Sequence, residues 1–296
     1  MSDQPASSMT TPIDIKDEDK PVEAKTGTDW FAEIRGILWL ILAVLGFHSL
    51  IAKPFYIPSE SMMPTLITGD RLVVTKYPYG WSYVSPSFHV LPFIRGRLFG
   101  KLPERGDIVI LKPPTVDTDY IKRVIGLPGD RLEVRNGTVI LNGVPVKREP
   151  MSPAMIRIDE NVPCLNPDVA RYRVTGPDGV LYCALPRVRE TLPNGRSYDT
   201  LDVTQNSPVD DYPAITIPAD RIFVMGDNRD ESADSRVEIY ANGLGGPVPF
   251  ENLGGRAEFI TFSLDGTTKI WNPISWLTAL RGGRAGTSLH PARAPE

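Results

Sequence analysis

Tyr120-Ile121-Lys122-Arg123-Val124-Ile125-Gly126-Leu127-Pro128-Gly129-Asp130 is the stretch from which the fold is most directly read. Its first six residues are rich in β-branched and aromatic types and read as a strand. Gly126 to Asp130 then supplies a tight turn, with Pro128 before Gly129 suiting a type II geometry. Successive strand side chains point to opposite faces, so Lys122 and Arg123 diverge. One can point inward while the other pairs with a carboxylate.

Working outward, Arg71–Thr75, Asp107–Leu111, Arg131–Val134, Thr138–Leu141 and Arg221–Met225 show the same alternation and read as further strands. With 25 Gly and 29 Pro and few helix-periodic runs, the chain is expected to be mostly β, built of short strands. Residues 145–214 are irregular and rich in Pro, Asn and Asp, and are expected as an insertion or subdomain. Residues 277–296 are expected as a flexible tail. The net charge of -4 gives no basic footprint, which argues against a nucleic-acid partner. Cys164 and Cys183 offer no CxxC pattern and hence no zinc site. A disulfide and two buried thiols both remain open for them.

Upstream, residues 1–29 are polar and acidic and read as disordered. Gly36 to Ala52 then runs without a charge for about 17 residues, near the lower limit for a membrane span. A single anchor helix is expected over 30–53, with Pro54 ending it. Lys20, Lys25 and Arg35 precede the span and Lys53 follows it, which favours a cytoplasmic N-terminus and an outer catalytic part over 54–276. The run Tyr77, Tyr79, Trp81, Tyr83, Phe88 and Phe93 reads either as membrane-interfacial or as a core cluster. Trp271 and Trp276 invite the interfacial reading too.

Hydrolysis by a serine needs a base for the hydroxyl proton and donors for the oxyanion. Of the three histidines, His48 lies in the span, His290 in the tail, and His89 has no acidic neighbour in sequence. A Ser-His-Asp triad is therefore poorly supported. A lysine serves if burial lowers its pKa, and Lys122 is the candidate. Ser59 and Ser61, two apart between Pro58 and Pro64, can face one site. Gly226-Asp227-Asn228-Arg229-Asp230-Glu231-Ser232-Ala233-Asp234-Ser235-Arg236 lacks the glycine and distal glutamate of a calcium loop. Its mixed charges suit a network that fixes geometry around a site.

Together, Pro58–Leu66, Arg105–Val109, Tyr120–Asp130 and Gly226–Arg236 resemble the successive boxes of bacterial type I signal peptidases in order and relative placement. The resemblance implies a signal-peptidase-like fold of short antiparallel strands. It implies Ser61 as nucleophile, Lys122 as general base, Ser59 with the Ser61 N–H in the oxyanion hole, and Ser232 orienting the lysine. Arg123, Asp227, Arg229, Asp234 and Arg236 become structural ion pairs near the site. Phe55, Ile57 and Ile121 match positions lining shallow pockets for an Ala-x-Ala pattern in the substrate. The implied substrates are signal peptides of exported pre-proteins at the outer face of a bacterial cytoplasmic membrane. Membrane lipid and the export machinery are further candidate partners, and no metal or cofactor is called for. The single anchor departs from relatives that carry two. Two other readings share the segments. A self-cleaving Ser/Lys regulator would need a DNA-binding domain that residues 1–29 cannot supply. A dead β scaffold is disfavoured by intact Ser61, Lys122 and Ser232.

Overall fold

The computed structural model describes residues 29–86, 95–114 and 116–293. The tail expected over 1–29 lies outside these residues apart from Asp29, as do His89, Phe88 and Phe93. Asp29 accepts hydrogen bonds from the N–H groups of Phe31 and Ala32 at 3.1 and 3.3 Å, an N-cap that sets the start of helix α1 (Trp30–Leu50). The helix has 21 residues, spanning about 30 Å, and is long and apolar enough to cross a membrane. It stops before the boundary expected at Lys53. The residue preceding a proline is disfavoured in helical conformation, so Lys53 turns extended. Pro54 instead sits in β1 (Ala52–Tyr56), at the edge of a sheet where its missing N–H costs least.

The folded unit that follows is built of antiparallel strands. The first sheet uses β1, β2 (Asp70–Thr75), β3 (Ile108–Leu111), β4 (Tyr120–Gly126), β13 (Arg221–Met225), β14 (Val248–Pro249) and β15 (Leu253–Ser263). Their order is β1-β2-β15-β3-β4-β13-β14. A second sheet joins β5 (Arg131–Arg135), β6 (Thr138–Leu141), β7 (Val144–Pro145) and β12 (Tyr212–Thr216) in the order β12-β5-β6-β7. Each strand expected from alternation is present. So is the turn, where Gly129 takes φ +85° and Asp130 N–H donates to the Leu127 carbonyl at 3.0 Å, the arrangement in which glycine is favoured.

The insertion is a correction, since most of it is regular. Strands β8 (Lys147–Arg157), β9 (Arg173–Thr175), β10 (Leu181–Thr191) and β11 (Arg196–Leu201) make a third sheet, with the one-turn helix α2 (Pro167–Ala170) beside them. Cys164 and Cys183 are joined there in a disulfide. The C-terminal stretch is likewise no loose tail. Helix α3 (Pro273–Thr278) is followed by β16 (Ala292–Arg293), which pairs with Arg196 and Ser197. Arg281 pairs with Asp159 at 2.8 Å and Arg284 with Asp70 at 2.8 Å, which fastens the segment to the sheets. The aromatic run divides: Tyr79 is 2% exposed in a core cluster, whereas Tyr77 is 56% exposed. Trp271 and Trp276 stand exposed at the start and on the surface of the α3 region.

Candidate active site

Strand β4 lies between β3 and β13, with Lys122 opposite Val109 and Arg123 opposite Ile108 and Met225. Both side chains are buried, and they leave the strand towards different partners. Lys122 Nζ lies 2.9 Å from Ser61 Oγ and donates to the Ile121 carbonyl at 3.0 Å. Ser61 comes from the turns that follow β1. The segment is a run of bends and turns, in which Ser59 Oγ lies 3.4 Å from Ser61 Oγ, so the two serines do face one site. Both members of the pair are nearly closed to solvent, Ser61 at 7% and Lys122 at 4%.

Burial disfavours the ammonium, and this is the main reason the Lys122 amine is pushed down to about 8. Asp234 and Asp227 pull the other way, and Arg236 adds to the depression. The unfolded chain therefore binds an extra proton between about 8 and 10.5. Below that window the cost of burying the amine is fully present, and it fades as pH rises through it. Lys122→Met is accordingly expected to be at least as stable as the parent at pH 7, losing that advantage towards pH 10. Thermal unfolding of both proteins at the two pH values checks this. A variant markedly less stable at pH 7 would mean a charged, paired lysine.

Behind the pair lies a network of buried ions. Arg123 forks onto Asp227 through Nε at 2.7 Å and Nη2 at 2.6 Å, and its Nη1 donates to the Gly106 carbonyl at 2.7 Å. Its guanidinium also stacks 4.2 Å from the centre of the Tyr198 ring. Arg229 binds Glu190 at 2.6 Å. Arg236 forks onto Asp234 at 3.0 and 2.9 Å and donates to the Arg229 carbonyl at 2.7 Å. Asp234 in turn accepts the Gly226 N–H at 2.9 Å. Gly226 is held close because it has no side chain. A Cβ there would meet Ser232 Oγ at 2.2 Å and the Ser61 carbonyl oxygen at 2.4 Å.

Ser232 thus packs beside Gly226 and the Ser61 backbone, but its hydroxyl is buried without a hydrogen-bond partner among the described residues. The expected bond from Ser232 to the lysine is not formed in this arrangement, where Lys122 turns to Ser61 and Ile121 instead. Ile57 and Ile121 are core residues here, 1% and 7% exposed in one cluster with Met62 and Leu66, and Phe55 packs against them half-buried. They form a wall under the segment rather than open surface.

Four participants escape a reading of the sequence. Thr65 donates to Asp227 at 2.6 Å, and Asn228 donates to the backbone at Ser61 and Glu60. Glu190 and Tyr198 come from β10 and β11 of the insertion. Thr65 and Asn228 lie inside segments already singled out, so proximity in sequence marked them. Nothing in the pattern of the insertion distinguishes Glu190 from its charged neighbours.

The sequence profile of the family described as signal peptidase, peptidase S26, matches residues 30–262. The signal peptidase I of Rickettsia typhi is 35% identical over 247 residues, covering 81% of this chain and 83% of its own. That of Rickettsia akari is 36% identical over 233 residues, covering 76% and 77%. A solved signal peptidase I from Enterococcus faecalis shares 24% identity across 53% of this chain and 97% of its own, with a TM-score of 0.26.

Proposed function

Because the chain belongs to the signal peptidase family S26, and is by that membership a serine peptidase that removes signal peptides, we propose that Ser61 is its nucleophile and Lys122 its general base. The observation that carries the assignment is the 2.9 Å approach of Lys122 Nζ to Ser61 Oγ, made where burial brings the amine down to about 8. A neutral amine accepts the Ser61 proton as Oγ attacks the scissile carbonyl. The ammonium so formed protonates the leaving amine, and the released peptide carries the new N-terminus. Water then attacks the acyl ester, with Lys122 again taking the proton. The Ser61 N–H and the Ser59 hydroxyl are the proposed donors to the oxyanion.

The substrate preference proposed is small side chains at the first and third positions before the cut, with Phe55, Ile57 and Ile121 under the subsites. Arg123, Asp227, Arg229, Asp234 and Arg236 hold the frame, and Ser232, packed beside Gly226 and the Ser61 backbone, is the residue proposed to orient the lysine. The α1 helix anchors the enzyme in the bacterial cytoplasmic membrane, N-terminus inside and catalytic unit outside. Anchoring raises the effective concentration of substrates that arrive in the same bilayer. Incubating the detergent-solubilised chain with a pre-protein and sequencing the new N-terminus tests the reading. Cleavage after an Ala-x-Ala-like site is expected. An intact pre-protein, or cuts elsewhere, would refute it.

A further inference from the structure

Resting on the Ser61 reading above, we infer that Asn228 is a positioning residue that aims the Ser61 N–H at the developing oxyanion. The Glu60–Ser61 peptide is trans, the one cis bond among the described residues being Met63–Pro64. In a trans peptide the carbonyl and the N–H point in opposite directions from one rigid plane. Whatever holds the Glu60 carbonyl therefore fixes the direction of the Ser61 N–H. Asn228 Nδ2 donates to that carbonyl at 3.2 Å. Its backbone N–H donates to the Ser61 carbonyl at 3.1 Å, which pins the next peptide plane too. The nucleophile is thus gripped on both sides by one residue. The Ser61 N–H itself takes no partner among the described residues.

The side chain is held in this role by its surroundings. Asn228 is 3% exposed, and its Oδ1 is buried without a partner. The reverse amide orientation would set two carbonyl oxygens against each other, so the NH2 faces Glu60. An orphaned buried acceptor is costly and calls for a reason; the bond to Glu60 supplies it. From behind, Leu201 of β11 brackets the residue. Its N–H donates to the Asp227 carbonyl at 2.9 Å and its carbonyl accepts the Arg229 N–H at 2.9 Å. The insertion sheet thereby reaches the nucleophile through two backbone bonds and one amide. Gly226, which a Cβ would drive into the Ser61 carbonyl, lets the same segment close up.

The experiment compares Asn228→Asp, Asn228→Ala and Ser61→Ala in the full chain in detergent, measuring kcat, KM and thermal unfolding. Losing an oxyanion donor outright costs about 10²–10³ in rate, so misaiming it is expected to lower kcat about 10- to 100-fold. Substrate affinity does not involve the oxyanion, so KM should stay within about twofold. Asn228→Asp, which sets a carboxylate oxygen against the Glu60 carbonyl, should lose the most. Unchanged kcat in folded variants, a loss confined to KM, or a loss that merely follows unfolding in both variants would each overturn the inference. Retained activity in Ser61→Ala would remove the dyad reading itself, and an inactive Ser61→Ala with a normal Asn228→Asp would remove only this inference.

Discussion

Ser61→Ala and Lys122→Met are each expected to lower kcat/KM by about 10⁴-fold or more, and the double variant to be no worse than either single one. The expectation follows from the pair acting as a unit. Without the amine, Ser61 Oγ has no base within reach among the described residues, where the other group at hydrogen-bond distance is the Ser59 hydroxyl. Without the hydroxyl, the amine has nothing to activate. Lys122→Met keeps the length of the side chain and removes its charge, so the packing against Ile121 and the Ser61 turn should survive. Near-normal turnover by either folded variant, or losses that multiply in the double variant, would end the assignment. Cleavage of a synthetic signal-peptide substrate at saturating and limiting concentrations supplies the two kinetic terms.

Asp227→Ala is expected to cost about 3–5 kcal/mol, the penalty for stranding one member of a buried ion pair. Arg123 and Asp227 have side chains only 2% and 1% exposed. The guanidinium left behind would keep its bond to the Gly106 carbonyl and its stack on Tyr198, but no counter-charge. Thr65 would lose its acceptor as well. For a unit of this size the cost corresponds to a fall in melting temperature on the order of 10 °C. Replacing both ions, as in Arg123→Met with Asp227→Leu, should be milder, because a buried pair and an apolar substitute are often close in free energy. If the double replacement is as damaging as the single one, the pair contributes through shape rather than charge. Thermal unfolding of the two variants decides between these outcomes.

The first sheet was legible because its strands alternate cleanly and are bounded by glycine and proline turns. The insertion was not, and the cause is physical. Strand β8 contains Pro150 and Pro153, and β10 carries Pro186 at a bulge between Leu185 and Arg187, where a proline is tolerated. Arg187, Arg189 and Glu190 then crowd one end of β10 with charge, which blurs the period of two. The C-terminal stretch read as loose from its Gly, Arg and Pro content. Its order comes from Arg281 and Arg284 meeting Asp159 and Asp70, which are 122 and 214 residues away in sequence. Pairings over such separations leave no local trace. In the site, sequence placed Ser61 and Lys122 side by side through their motifs. The role of Asn228 depends on the direction of a single peptide plane, and no pattern of residue types carries that.

The central claim is that a neutral, buried Lys122 activates Ser61, and the pH dependence of kcat/KM tests it most directly. The account predicts an acid limb near 8, the value to which burial brings the amine, with activity rising as pH increases through it. Profiles of the parent and of Asn228→Ala should share that limb, since the asparagine touches the backbone of Ser61 and leaves the lysine alone. An acid limb near the ~6.5 of an unperturbed histidine, or near the ~10.4 of a free lysine, would contradict the account.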